Sequence, residues 1–218
     1  TDVGVAAISG AERKMRNAGQ VCTSPTRFFV DESIFDDYTD TFVKRAAETV
    51  VGDGIVDGVE MGPLANDRRM PALIELVEDA RDKGADVRTG GARHGNRGYF
   101  FQPTVLTNVP NEAQIMQKEP FGPIAVINPV ASLDEAIERA NSVPYGLAGY
   151  AFTNRADHIN RMIDEVEVGN LSINTLEASL PETPFGGVKS SGYGREGGSE
   201  GLENYITVKN VWHSSYIV

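Results

Sequence analysis

Apolar and polar residues alternate along this chain in two rhythms, one with the spacing of helices and one confined to short strands. Across residues 3–17 the apolar positions Val3, Ala6, Ala7, Ala11 and Met15 recur near one face, which predicts a helix. Residues 26–30 read as a short apolar strand. Residues 35–50 predict an amphipathic helix, with acids in its first turn and Gly52 just past its end. A second strong helix is predicted over residues 66–83, where Leu73, Leu76, Val77 and Ala80 share a stripe and Gly84 stops it. Strands are expected at residues 86–89, 104–106 and 124–127. A helix follows over residues 132–141, where Ser132 can cap and Glu135 completes a capping box. A strand at 147–152, a helix at 157–163 and a strand at 171–173 continue the series. Strands that alternate with helices predict an α/β fold: a mostly parallel sheet with helices on both faces.

The pattern breaks at residues 186–198, GGVKSSGYGREGG, which hold six of the 23 glycines and cannot be regular throughout. A short helix near residues 200–204 and a terminal strand over 205–212 are expected beyond it. A strand after so long a loop need not pair within its own domain. Pairing with a second copy is the sharper reading and a lone edge strand the plainer one.

Composition adds exclusions. With 218 residues, 40% of them hydrophobic, the chain can build one sizeable core. A net charge of −11 with no block of basic residues argues against nucleic acid as a partner. No apolar run approaches the roughly 20 residues that span a bilayer, and no export signal opens the sequence. The one cysteine, Cys22, cannot form an intrachain disulfide, which fits a reducing compartment and an expected cytoplasmic location. Asn170-Leu171-Ser172 spells a glycosylation sequon inside an expected strand and is read as chance.

A lone cysteine is by default a small buried hydrophobe. Cys22, however, follows a helix that ends at Asn17-Ala18-Gly19-Gln20, a turn with one residue free to be left-handed, and Pro25 delays any new helix. The sulfur is thus expected in a constrained loop between helix and strand, where free backbone N–H groups can stabilise a thiolate or an oxyanion. Glu119 lies in the proline-bracketed segment KEPFGPIAV, where a solvated turn carboxylate is the plainer reading. Gly192-Tyr193-Gly194-Arg195-Glu196-Gly197 spells a dinucleotide fingerprint but follows no expected strand, so it is read as a glycine-rich loop. His94, His158 and His213 are scattered without ligand spacing, and no metal site is expected.

The segment Asn17-Ala18-Gly19-Gln20-Val21-Cys22, with Arg27-Phe28-Phe29-Val30 after it, resembles the nucleophile segment of the aldehyde dehydrogenase superfamily. Met61-Gly62-Pro63-Leu64, Glu119-Pro120-Phe121-Gly122-Pro123, residues 184–192 (PFGGVKSSG) and residues 205–209 (YITVK) resemble further family segments in the same order. The resemblance covers nearly the whole chain. It implies that Cys22 attacks an aldehyde, that a thiohemiacetal anion forms, that hydride passes to NAD or NADP, and that water hydrolyses the remaining thioester.

It further implies that Glu119 accepts both hydroxyls of the nicotinamide ribose, that Phe121 packs near the nicotinamide, and that Phe185 lines the substrate mouth. Core packing is the plainer role for both phenylalanines. Arg16, within Arg-Asn-Ala-Gly-Gln, resembles the succinate semialdehyde dehydrogenase branch, where an arginine here meets the substrate's distal carboxylate, and Ser179 could add a hydrogen bond. A solvated charge at the helix end is the plainer reading of Arg16.

The same resemblance places residues 1–195 in the catalytic domain and 196–218 in an oligomerisation tail. It puts the general-base glutamate and a cofactor-binding domain upstream of Thr1, so a fragment is expected, inactive by itself. The expected partners are a small aldehyde, the protein's own N-terminal cofactor domain and further copies joined through the C-terminal strand. Two other readings stay open: an acylating relative that passes the thioester to coenzyme A, and a non-catalytic dimerisation or interaction fragment.

Overall fold

The computed structural model describes residues 2–216. Thr1, on which the expectation of a cut chain rests, and the last two residues of the 196–218 tail lie outside them. Helix α1 (Val3–Met15) begins at Asp2, whose carboxylate accepts the Val5 N–H at 3.1 Å. A 3-10 turn, Arg16–Gly19, carries the chain towards β1 (Arg27–Asp31) and α2 (Phe35–Ala47). Then come α3 (Arg69–Asp82), β2 (Asp86–Thr89), β3 (Thr104–Thr107), α4 (Gln114–Gln117), β4 (Ile124–Val130) and α5 (Leu133–Asn141). The last elements are β5 (Tyr145–Gly146), β6 (Ala148–Ala151), α6 (Ala156–Glu165), β7 (Asn170–Ile173), β8 (Val188–Lys189) and a 3-10 helix, Glu200–Tyr205.

Boundaries shift where side chains compete with the helix. The α3 helix starts at Arg69 and not at residue 66, because Asn66 folds a turn whose side chain accepts the Arg68 N–H at 3.1 Å. Pro71 then falls in the first turn, where a missing N–H costs nothing. The α2 helix ends at Ala47, since the Val50 N–H is taken by Glu60 at 2.9 Å and Val51 bridges to Met61. Ser132 caps α5 by accepting the Glu135 N–H at 3.2 Å. The Glu135 carboxylate reaches Ala131 N–H at 2.9 Å, one residue further back than a capping box requires.

The main sheet runs β1-β4-β3-β2, with β4 parallel to both β1 and β3 and β2 antiparallel at the edge. Successive residues Ile124 to Ile127 are all buried, so both faces of β4 are covered. Phe28 and Phe29 point to opposite faces of β1. Phe28 meets Phe42 of α2 edge-on at 5.0 Å, whereas Phe29 lies under the Arg139 guanidinium of α5 at 4.8 Å. Thus α2 and α5 cover opposite faces, and the expected α/β class with a mostly parallel sheet is the one observed. Strands β6 and β7 form a separate parallel pair, and β5 and β8 a short antiparallel one.

The expected terminal strand is the main difference. Residues 206–214 belong to no strand, and Tyr205, Ile206, Val208, Val211 and Trp212 are exposed. A strand exists by pairing, and this segment meets no sheet edge within the described residues. No helix among them is long and apolar enough to cross a membrane.

Candidate active site

Cys22 is exposed and lies in the turn closed by the Ser24 N–H on the Val21 carbonyl at 2.9 Å. What enters that turn is unusual. Asn17, Ala18 and Gly19 all have left-handed backbones, at φ 52°, 54° and 68°, where one such residue is expected. Gly19 explains the demand: a Cβ built there would lie 2.1 Å from the Gly122 carbonyl oxygen. The cysteine loop therefore rests backbone to backbone on the Glu119–Pro123 turn.

Parallel pairing brings these two segments together. Cys22 precedes β1 and Glu119 precedes β4, and Arg27 of β1 registers against Val126 of β4. Loops that enter neighbouring parallel strands share one edge of the sheet, so residues far apart in sequence become neighbours. A third segment joins them through Gln20. Its amide donates to Asn17 O at 3.1 Å and Pro63 O at 3.3 Å, and its carbonyl accepts the Ala65 N–H at 2.7 Å. Asn17 returns a bond to Gln20 O at 3.0 Å. The Met61–Leu64 segment is thereby tied to the Cys22 loop, with Met61 and Leu64 buried beneath.

The Glu119 turn is firmly held. Pro120 is buried and its carbonyl accepts from Arg69 of α3. Phe121 is half-buried with φ 44°, a strained backbone for a phenylalanine. The Glu119 carboxylate itself is exposed and makes no ion pair among the described residues. An exposed carboxylate without an ion pair, two residues before a half-buried aromatic ring, offers acceptor oxygens to hydroxyl donors of a bound molecule.

The other expected residues lie less close. Arg16 caps the C-terminus of α1 and is exposed, lining a shallow cleft of about 300 Å³ with Glu12, Met15, Arg45, Thr49 and Glu60. That lining includes neither Cys22 nor Glu119. Ser179 is exposed in the loop after β7. Phe185 is half-buried and exchanges two backbone hydrogen bonds with Glu196, at 2.7 and 2.8 Å, which close the glycine-rich loop on itself. Asn170 explains the sequon locally: its amide donates to Leu147 O at 2.8 Å and Gly186 O at 2.9 Å, fastening that loop to β7. Among the described residues no group of three or more His, Cys, Asp or Glu side chains is arranged to hold a metal ion.

Three residues around the Cys22 turn are not apparent from the sequence motifs. Tyr150 of β6 donates to the Thr23 carbonyl at 2.7 Å, and the Arg13 charge acts on its hydroxyl. Burial pushes the Tyr150 hydroxyl above the ordinary tyrosine range. Lys14 is wholly buried, its amine 3.3 Å from both Ser24 Oγ and Thr26 Oγ1. Desolvation lowers its pKa to about 7, against an opposing pull from Glu119. Spacing offers a signal for Lys14, which continues the buried stripe Ala7–Ala11 at helical intervals. Nothing local marks Tyr150, which reaches the site only through tertiary packing.

The sequence model described as "Aldehyde dehydrogenase family" matches residues 1–211. A putative 4-(hydroxymethyl)benzenesulfonate dehydrogenase of Comamonas testosteroni is 46% identical over 198 residues, 91% of this chain and 41% of that protein. A succinate-semialdehyde dehydrogenase [NADP(+)] of Mycobacterium bovis is 38% identical over 211 residues, 97% of this chain and 46% of that protein. The structure of an aldehyde dehydrogenase from Bacillus cereus in complex with NAD+ superposes with a TM-score of 0.94 at 36% identity, covering 99% of this chain and 44% of that one. The chain thus spans somewhat under half the length of these relatives.

Proposed function

This chain belongs to the aldehyde dehydrogenase family, and from that premise we propose that it carries the nucleophile of an NAD(P)-dependent enzyme oxidising an aldehyde with a distal anionic group. The observation that carries the reading is the seating of the exposed Cys22 loop on the Glu119 turn through Gly19 and Gly122. The Cys22 sulfur, as thiolate, bonds to the carbonyl carbon while the π pair moves to oxygen. The Cys22 N–H, which has no partner among the described residues, would stabilise that oxyanion. Glu119 would hold the ribose hydroxyls and Phe121 would limit the nicotinamide's movement. A nicotinamide nucleotide held by these residues would supply the hydride acceptor. Water then releases the carboxylic acid and returns the thiolate. Relatives include both an NADP-named enzyme and an NAD+ complex, which supports a nicotinamide nucleotide without selecting one.

In the full-length protein, Glu119→Gln is expected to raise the nucleotide KM by roughly tenfold, since a neutral amide accepts ribose hydroxyls less strongly. Cys22 should remain open to alkylation. An unchanged nucleotide KM in steady-state assays would remove Glu119 from the ribose site.

The substrate class rests on Arg16 and on the names of two relatives, a benzenesulfonate and a succinate semialdehyde enzyme, whose substrates both carry an anion away from the reacting carbon. Arg16→Ala is expected to lower kcat/KM for succinate semialdehyde, relative to a neutral aldehyde of similar size, by about 10- to 100-fold. Equal loss for both aldehydes would refute the anionic preference.

A further inference from the structure

Lys14 is a costly residue to bury. Its amine has no exposed surface, and the partners it meets are two neutral hydroxyls at 3.3 Å. Three ammonium donors facing two long contacts leave the charge poorly compensated. A methionine would fill the same position on the α1 stripe without that cost. Packing alone therefore gives no reason for an amine here, but its surroundings do. Ser24 closes the turn around Cys22 through its own N–H. Thr26 donates to Ser24 O at 3.4 Å, and its carbonyl accepts the Val126 N–H at 2.9 Å, the first link to β4. Lys14 thus grips both ends of the segment that joins the nucleophile to the sheet. Across the interface, the charge acting on it is Glu119. A second charged group near this turn is Arg13, whose charge acts on Tyr150, the residue that donates to the Thr23 carbonyl.

We propose that Lys14 is a positioning residue of the nucleophile: its amine holds the Ser24 and Thr26 hydroxyls, fixes the turn that presents Cys22, and sets a positive charge beneath it, facing Glu119. The inference rests on Cys22 being the nucleophile. Because burial brings the lysine pKa to about 7, the charge is present below neutrality and lost above it. On deprotonation one donor becomes a lone pair, and the grip on the two hydroxyls changes with the charge. Cys22 should therefore carry, in its own reactivity, a pH dependence that belongs to a different residue.

The test uses the full-length protein as wild type and as Lys14→Met. The rate of iodoacetamide alkylation at Cys22 is followed by peptide mass from pH about 5 to about 10, with thermal unfolding in parallel. The wild type is expected to show a break near pH about 7 besides the rise due to the thiol. Lys14→Met is expected to lose that break and to alkylate more slowly below it, by roughly threefold or more. It should also melt higher. That gain is largest below pH about 7, where the wild type buries a charge, and shrinks as pH rises towards the unfolded value of 10.5.

A purely structural lysine gives the opposite stability result and an unaltered alkylation profile, which overturns the proposal. Should the methionine variant fail to fold, the double variant Ser24→Ala, Thr26→Val removes the amine's partners instead. It must then shift or abolish the same break, and a wild-type profile there also overturns the inference. If wild-type Cys22 resists alkylation throughout, the nucleophile reading falls and this one with it. Rapid alkylation that is indifferent to Lys14 removes this inference alone.

Discussion

Cys22→Ala in the full-length protein is expected to abolish aldehyde oxidation, with kcat falling by more than about 10³-fold, while the fold stays intact. The two halves of that expectation have separate grounds. Cys22 is exposed and its side chain contributes little to the core, so its removal should change stability by no more than about 0.5 kcal/mol. Within this chain nothing replaces it chemically, since Cys22 is its one cysteine. The Ser24 hydroxyl, two residues on, is engaged by the Lys14 amine at 3.3 Å. Steady-state assay of nucleotide reduction with a semialdehyde, alongside urea unfolding, reads both halves. Residual turnover within tenfold of the wild type would mean that the sulfur is not the nucleophile. A large loss of stability would mean that its removal disturbs more than chemistry.

Gly19→Ala is the second large effect, and here the fold of the site is what fails. The left-handed backbone at φ 68° costs an alanine about 1–2 kcal/mol, and its Cβ would also stand 2.1 Å from the Gly122 carbonyl oxygen. Neither partner of that clash is a flexible side chain. The cysteine loop and the Glu119 turn must separate, or the Gly122–Pro123 peptide must move and carry the start of β4 with it. A destabilisation above about 3 kcal/mol is expected, together with loss of nucleotide reduction. Gly58 supplies the control. Its φ is 84° and no atom lies within 4 Å of a built Cβ, so Gly58→Ala carries the backbone strain without the collision. It should cost about 1–2 kcal/mol and leave turnover unchanged. Equal losses for the two variants in urea titrations would show that the Gly19–Gly122 contact contributes nothing of its own.

Local chemistry in the sequence determined most of the elements. The apolar stripe of α3, the Ser132 cap of α5 and the alternation of helix with strand are legible because each depends on residues within a few positions of one another. Cys22 in a turn after a helix, and the family to which the chain belongs, were legible for the same reason, since the motifs are short and contiguous. Elements whose existence depends on distant partners were not. The single turn α4 has too few residues to show a period, and the Asp79 carboxylate of α3 caps it by accepting the Gln114 N–H at 2.7 Å. Strands β5 and β8 are two residues each and exist only because they meet. The terminal segment shows the converse, for its residues have strand character and, among the described residues, no edge to pair with.

The site divides in the same way. The sequence by itself determined which residue types are present: a lone thiol, a carboxylate between prolines, an arginine before the thiol. Only the tertiary structure decided that the Cys22 loop and the Glu119 turn are neighbours, because parallel pairing of β1 with β4 sets both at one end of the sheet. It also decided that Asn17 and Ala18 take a backbone that side chains disfavour. The return of that cost comes from the Gly122 contact and the Gln20 bonds, neither of which has a local signature. And it decided that a lysine on an apolar stripe is buried against Ser24 and Thr26 and not solvated. Burial belongs to the environment that the rest of the chain builds around a residue, and residue type alone does not specify it.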